Sequence, residues 1–489
     1  MSELLLPISN YLKKYRYKYL ALYHCLRDAI IEGTLEDGFR LPASRQFANE
    51  YGISRGIVNQ VYEMLSADGY ITTKLGSGTY VTYSHIPPTI EEEEYTSAYS
   101  LSNWGKRLPS ITKQSLPKKY TIHFSSQLND LANIFPFEAW RKAIKQGFEE
   151  MDYFINMTEP DKQGLFELRE AISKYLNTTR GMRTSPEEIV ITNGSVHAMS
   201  ILAHLLVNEG EHVLVENPSY VRLRNIIKTV GATPTPIPVN AQGDLNLVDC
   251  KSKIIYVTPS SQYPTGRLMT MAERIELLEW AANHQAIIIE DDIDSEFRRK
   301  GRPIEPLKVL DYDNRVIYLG TFAFTLLLHL RIGYAVLPKG LVDDFLRAKH
   351  IFEPYQTSIM EQKTIATFMK NGEFSKHIRK SKRIYTHKYT RVKSLFDGKL
   401  PGCFAWYPTD SGLHLFGWWI NKTIPYEEFL RGCSDAGVNW EAPYDYFFEQ
   451  PDPCALFHFM HLNEREIEQA VTMMKKTYDN LLAIFQKPH

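Results

Sequence analysis

The sequence predicts an α/β chain in two parts, a small helical unit closed by a hairpin and a large domain built on a mostly parallel sheet. Three observations carry this. Residues 1 to about 83 hold short amphipathic helical patterns that end in a hairpin-like segment. From Tyr120 onward, β-branched runs alternate with helical periods. Those runs are apolar on both faces, as strands covered on two sides must be. Between the two lie Pro87-Pro88, the run Glu91 to Glu94 and then Ser, Thr, Lys and Pro, too polar to bury a core. The expected division is 1–83 for the small domain, 84–118 for an exposed linker and 119–489 for the large domain.

Totals bound the function. A chain of 489 residues exceeds one core at about 150 residues per domain. With 44% apolar and 23% charged residues, whole-chain disorder is excluded. The formal net charge of −1 gives no global field, so a nucleic-acid role must come from a local surface. Five scattered cysteines, among them Cys250, form no C-x-x-C pair, which argues against a disulfide framework or a zinc site. The start lacks the apolar region of a signal peptide, and no apolar run nears the roughly 20 residues that cross a bilayer. A cytoplasmic protein without a membrane partner is expected.

In the small domain, helical spacing puts Phe47, Ala48 and Tyr51 on one apolar face. Gly52 can end that helix and Ser54 can cap the next. The second helix turns Ile57, Val58, Val61, Tyr62 and Leu65 inward, leaving Arg55, Gly56 and Asn59 outward in its first turn. Arginine can take guanine bidentately and asparagine can take adenine, which is what major-groove reading needs; the plainer alternative is a helical protein-interaction module with a surface hairpin. Tyr70–Thr73 and Thr79–Val81 flank Lys74-Leu75-Gly76-Ser77-Gly78, a wing whose small tip can approach phosphates. Arg40 and Arg45 add positive charge at the entry. The ordered motifs resemble the winged helix-turn-helix of the GntR superfamily, with Ala43 where that pattern has serine. The resemblance implies binding to double-stranded operator DNA through Arg40, Arg45, Ser54, Arg55, Gly56, Asn59, Lys74, Gly76, Ser77 and Gly78.

The large domain offers strands at Glu188–Thr192, His212–Val215, Ile254–Val257, Ala286–Ile289 and Val316–Leu319. Between them, AERIELLEWAA places Ile275, Leu278 and Ala282 on one helix face. One strand ends at Asn193-Gly194-Ser195, where a helix begins and an anion can sit. Another ends with Tyr220, a third at Pro264-Thr265-Gly266, and a fourth with Asp291. The stretch GTFAFTLLLHLRIGY adds Thr321 and Arg331. In this order the pieces resemble type I aminotransferases, and with the winged unit in front they resemble the MocR subfamily of GntR regulators.

That resemblance implies a pyridoxal phosphate site. Ser195, Thr321 and Arg331 would hold phosphate, Tyr220 would stack on the ring, and Asp291 would keep the pyridine nitrogen protonated. It also exposes four departures. Phe324 stands where the family has its Schiff-base lysine, Ile293 where a tyrosine bonds the ring hydroxyl, Ser261 where histidine is usual, and Leu456 where an arginine holds a substrate carboxylate. Phenylalanine forms no imine, so transamination by the usual route is excluded. No covalent cofactor is expected. An amine-form compound, pyridoxamine phosphate, or pyridoxal phosphate itself could be held noncovalently by the surviving groups. The alternative is that the survivors satisfy one another, with Arg331 in a buried pair.

The expected protein is therefore a head-to-tail homodimeric regulator with a small-molecule effector. Two rivals stand beside it: an aminotransferase or lyase with an accessory DNA-binding arm, and a DNA-binding protein whose large domain is only a dimerisation scaffold.

Overall fold

A computed structural model describes residues 6–74, 76–83, 100–108, 122–124, 134–150, 161–237, 247, 251–301, 304–354, 358–410 and 413–486. Most of the expected linker, including Pro87-Pro88 and Glu91–Glu94, lies outside them, as do Leu75 and Cys250. The chain divides into two units, Met1–Ser100 and Leu101–His489.

In the first unit, helices Lys18–Ile31, Ser44–Tyr51 and Arg55–Ala67 surround a core of Leu22, Leu26, Phe47, Val58, Val61 and Leu65. Each of these side chains is sealed from water, which contributes roughly 1.5–3 kcal/mol per large aliphatic group. Gly52 ends the middle helix at φ 63°, a left-handed conformation that costs glycine nothing. The Ser54 side chain then accepts from the Ile57 N–H and starts the next helix. Ala43 occupies the N-cap of the Ser44–Tyr51 helix and supplies no side-chain hydrogen bond. Strands β1 (Arg40–Leu41), β2 (Ile71–Lys74) and β3 (Gly78–Val81) pair antiparallel in the order β1-β3-β2. The hairpin stands one residue from its expected bounds. The third strand, β1, was not anticipated, because two residues carry no periodicity.

The first strand of the second unit, among its described residues, is the short β4 (Ile122–Phe124). Seven further strands follow: β5 (Ile189–Thr192), β6 (His212–Val215), β7 (Thr233–Pro236), β8 (Ile254–Val257), β9 (Ile287–Asp292), β10 (Val316–Thr321) and β11 (Gly333–Val336). They make one sheet in the order β5-β11-β10-β9-β8-β6-β7, parallel except for β11, which runs against both neighbours. The carboxyl ends of the parallel strands therefore share one edge, where ligands bind in open α/β sheets. A second sheet joins β12 (Phe404–Trp406), β13 (His414–Trp419) and β15 (Cys454–His458), while β14 (Val438–Trp440) pairs with β4.

Three expectations need correction. In helix Met271–Asn283 the expected face is only partly buried: Leu278 packs at the edge of the core, and Ile275 is 48% exposed. Its inner face is Arg274, Leu277, Trp280 and Ala281. Arg274 is drawn inward because its guanidinium reaches the carbonyls of Met269, Pro259 and Glu305 beside the buried Glu290. A residue polar by type thus occupies the packed face. Strand β8 ends at Val257, so Pro264-Thr265-Gly266 lies in the turn beyond it, and Tyr220 lies past the end of β6 as the N-cap of helix Val221–Thr229. The segment Asn103–Arg107, inside the expected linker range, is helical and belongs to the second unit, where Arg107 bonds the Thr229 carbonyl and Glu209.

Candidate functional site

In the first unit, the helix Arg55–Ala67 exposes Arg55, Gly56 and Asn59 while its opposite side is sealed. Arg45 is exposed on the preceding helix. Strand register brings Arg40 opposite Tyr80, and the wing tip carries Lys74, Gly76 and Ser77 into solvent. Gly78, at φ 126°, leaves room for the Arg40 side chain: a Cβ there would stand 2.8 Å from Arg40 Nε. Tyr80 braces the tip, its hydroxyl 3.0 Å from the Ser77 carbonyl and its ring 5.7 Å from Lys74 Nζ. The ten residues expected from the sequence lie on helix starts, a helix cap and the strands and tip of the wing, all exposed except the half-buried Gly78. Their shape is a helix start beside a positively charged wing, which suits a duplex groove and its phosphates.

In the second unit, the carboxyl edge of the sheet opens into a cavity of about 400 Å³. Ser195, Tyr220, Thr321, Phe324 and Arg331 all line it, as do Ile293 and Ser261. Gly194, at φ 86°, ends β5 and caps the twelve-residue helix Ser195–Leu206, whose first N–H groups face an incoming anion. Gly333 is required beside it, because a Cβ there would lie 2.9 Å from Gly194 Cα. Arg331 adopts a left-handed conformation at φ 53°, a strained state for a non-glycine residue. It is exposed, and no hydrogen bond or ion pair joins it to another described residue. Among the described residues the alternative of a buried Arg331 pair is not seen; Arg331 lines the cavity, and Asp291 is buried and is not among the lining residues.

Asp291 is 2% exposed at the end of β9. The fully buried Tyr256 donates to its Oδ2, while Oδ1 has no partner. Burial pushes its carboxyl up to about 7, with Tyr256 opposing the shift. An orphaned carboxylate oxygen of this kind awaits a cationic or N–H donor. No lysine among the described residues lines the cavity. Lys308 is held by Asp311 and the Val316 carbonyl, and Lys349 by Glu353.

The cavity also contains residues that sequence reasoning missed. Tyr263, His414, Tyr446 and His458 line it. His414 and His458 face each other in the β13–β15 register with ring centroids 5.3 Å apart. Burial lowers His414 to about 4 and His458 well below its ordinary value, so both rings are neutral at pH 7. Nothing local marked His414, because its place depends on pairing with a strand 44 residues later.

One chain thus carries a small helical unit with a wing and a larger unit with a sheet-edge cavity. The gntR family of bacterial regulatory proteins matches residues 18–81, and aminotransferase class I and II matches residues 121–420. The chain belongs to the regulators that join a gntR-type DNA-binding region to an aminotransferase class I and II domain. It is 32% identical to the probable rhizopine catabolism regulatory protein MocR of Rhizobium meliloti, over 94% of this chain and 93% of that one. It is 30% identical to the pyridoxine biosynthesis transcriptional regulator PdxR of Corynebacterium glutamicum, over 80% of each. The fold is similar to that of a kynurenine aminotransferase of Pyrococcus horikoshii, with a TM-score of 0.66 and 23% identity over 74% of this chain and 91% of that one. No helix among the described residues is long and apolar enough to cross a membrane.

Proposed function

We propose that this protein is a homodimeric, cytoplasmic regulator that binds operator DNA and senses a pyridoxal-type phosphate ligand without catalysing its chemistry. One observation carries the reading: the Phe324 ring lines the cavity between Thr321 and Arg331, where the resemblance would put the lysine. A phenyl group forms no bond to an aldehyde and moves no proton.

The residues present fit a noncovalent ligand of this type. The helix start at Gly194-Ser195, Thr321 and the unpartnered Arg331 guanidinium would hold phosphate. The vacant Asp291 Oδ1 would accept from a protonated ring nitrogen, and Tyr220 would cover one ring face. Pyridoxal phosphate supplies, when bound, an electron-withdrawing ring. In this chain the surrounding groups would orient that ring, and none would withdraw a proton from a substrate carbon. Ile293 and Phe324 would present apolar surface to the ring instead.

DNA recognition falls to the first unit. The net charge of −1 makes binding through one small basic surface modest. Two heads joined in a dimer raise the effective concentration of the second contact. We therefore assign a two-half-site operator, and the resemblance supports a head-to-tail dimer.

Calorimetry with pyridoxamine phosphate tests the ligand. Saturable binding, one molecule per chain and weakened by Arg331→Ala, is expected. Absence of binding to the intact protein contradicts the reading. Selection from a random duplex library tests the operator, and a paired half-site sequence is the expected product.

A further inference from the structure

The C-terminal sheet supplies a part of the cavity that phosphate binding does not use. His414 and His458 are each 3% exposed, and His414 Nε2 and His458 Nδ1 have no hydrogen-bond partner. The Tyr263 ring stands 5.9 Å from His414 between centroids, and its hydroxyl is 3.3 Å from His458 Nε2. Leu456, at the position where the resemblance puts a carboxylate-binding arginine, precedes His458 by two residues on β15 and shares its side of the strand. It is packed with Phe416 and Cys454 against Tyr263 and Trp418, so this wall carries imidazoles and no guanidinium.

The state of His414 decides what the wall can bind. Its second hydrogen-bonding nitrogen meets the backbone of Pro264, which has no N–H and only accepts. Nδ1 therefore carries the proton, and Nε2 of the neutral ring is a bare lone pair. Only a donor can satisfy it. A carboxylate brings acceptors alone, and it would be desolvated beside the buried carboxyl of Asp294, which also lines the cavity. Arg222 lines the cavity too, but it is exposed, where water and salt screen its charge.

We infer that the Tyr263–His414–His458 wall selects a ligand group that donates a hydrogen bond, an amide or a hydroxyl, in place of a carboxylate. The inference rests on the proposed pyridoxal-type ligand and names the chemistry of the part beyond its ring. It makes the effector an amide- or hydroxyl-bearing amine derivative and not a free amino acid.

The test is calorimetry on the full-length protein with pyridoxamine phosphate, N-(5′-phosphopyridoxyl)-L-leucine, and the carboxamide counterpart of that compound. The two leucine compounds differ only in whether the end group is an acceptor with charge or a neutral donor. The carboxamide should bind about tenfold or more tightly than the carboxylate, the cost of one unmatched buried polar contact. That preference should collapse toward one in His414→Leu. Should His414→Leu fail to fold, as its thermal melt would reveal, His414→Phe takes its place with the same expectation. Equal or tighter binding of the carboxylate overturns this inference while leaving the proposed function intact, provided pyridoxamine phosphate binds. A preference that survives in the folded variants also overturns it. If pyridoxamine phosphate itself fails to bind, both readings fall.

Discussion

The reading head and the cavity were built under different rules. In the first unit, recognition groups sit on a helix start and a hairpin tip, each placed by its neighbours in the chain: Ser54 caps, Gly52 turns, Val58 and Val61 bury. In the second unit, the cavity gathers Gly194 from one strand end, Arg331 from a loop before an antiparallel strand, and His458 from another sheet. In a locally built site, capping and core residues that shape the fold stand next to the exposed groups they present. A site assembled from distant elements can vary at one position while its frame persists. On the proposed reading, with Phe324 in place of a lysine, the contrast accounts for a phosphate-binding end beside an apolar, non-reactive one.

The comparison can be broken most sharply at Phe324. Phe324→Lys should convert a protein that gains no covalent mass into one that captures pyridoxal phosphate and retains it after borohydride reduction. Thr321 and Arg331 line the cavity, and Asp291 is buried at the end of β9. Catalysis should stay poor, since Ile293 and Leu456 give no polar contact. If Phe324→Lys folds, binds the compound and still shows no trapped adduct, residue 324 does not occupy the lysine position.

Acid should separate the two units next. His414 falls from its ordinary 6.5 to about 4 in the fold, so the unfolded chain takes up a proton first as pH drops. Its contribution to stability is full above about pH 6.5 and is lost progressively toward pH 4. For this one group the loss is on the order of 3 kcal/mol. Buried Asp291 and Glu290, both raised to about 7, gain stability over the same window, so the readout is the difference between wild type and His414→Gln. Thermal melts from pH 7 to 4.5 should show the wild type losing stability relative to that variant, and a difference that stays constant across the window contradicts the buried neutral assignment.

In the reading head, Arg55→Ala should cost about 1–3 kcal/mol of operator affinity if the guanidinium reads a base. Fluorescence anisotropy would measure it, with unchanged affinity removing Arg55 from the interface. The smallest effect belongs to Ala43→Ser. A serine at that N-cap should add about 1 kcal/mol to the stability of the first unit, because the helix there has no side-chain cap. Chemical denaturation followed by circular dichroism would register the gain or its absence.

How far the molecule was legible in sequence follows the same division. The His212–Val215 and Ile254–Val257 strands stand where their β-branched runs put them, and Ser54 caps as its type suggests. Helix Met271–Asn283 was misread because burial of Arg274 depends on carbonyls from two other segments, which no periodicity encodes. Asp291 could be singled out by its strand end, yet its vacant oxygen and its Tyr256 partner needed β8 and β9 side by side. The histidine pair was invisible for the same reason, since each ring is unremarkable until β13 meets β15.

The central claim is that a regulator of this architecture holds its ligand without a covalent bond. It is tested most directly by intact mass spectrometry of the wild-type protein after incubation with pyridoxal phosphate and borohydride. The account predicts no stoichiometric gain of a phosphopyridoxyl group on any cavity residue, alongside saturable binding of pyridoxamine phosphate. One phosphopyridoxyl group per chain, mapped to a single lysine of the large domain, would contradict it.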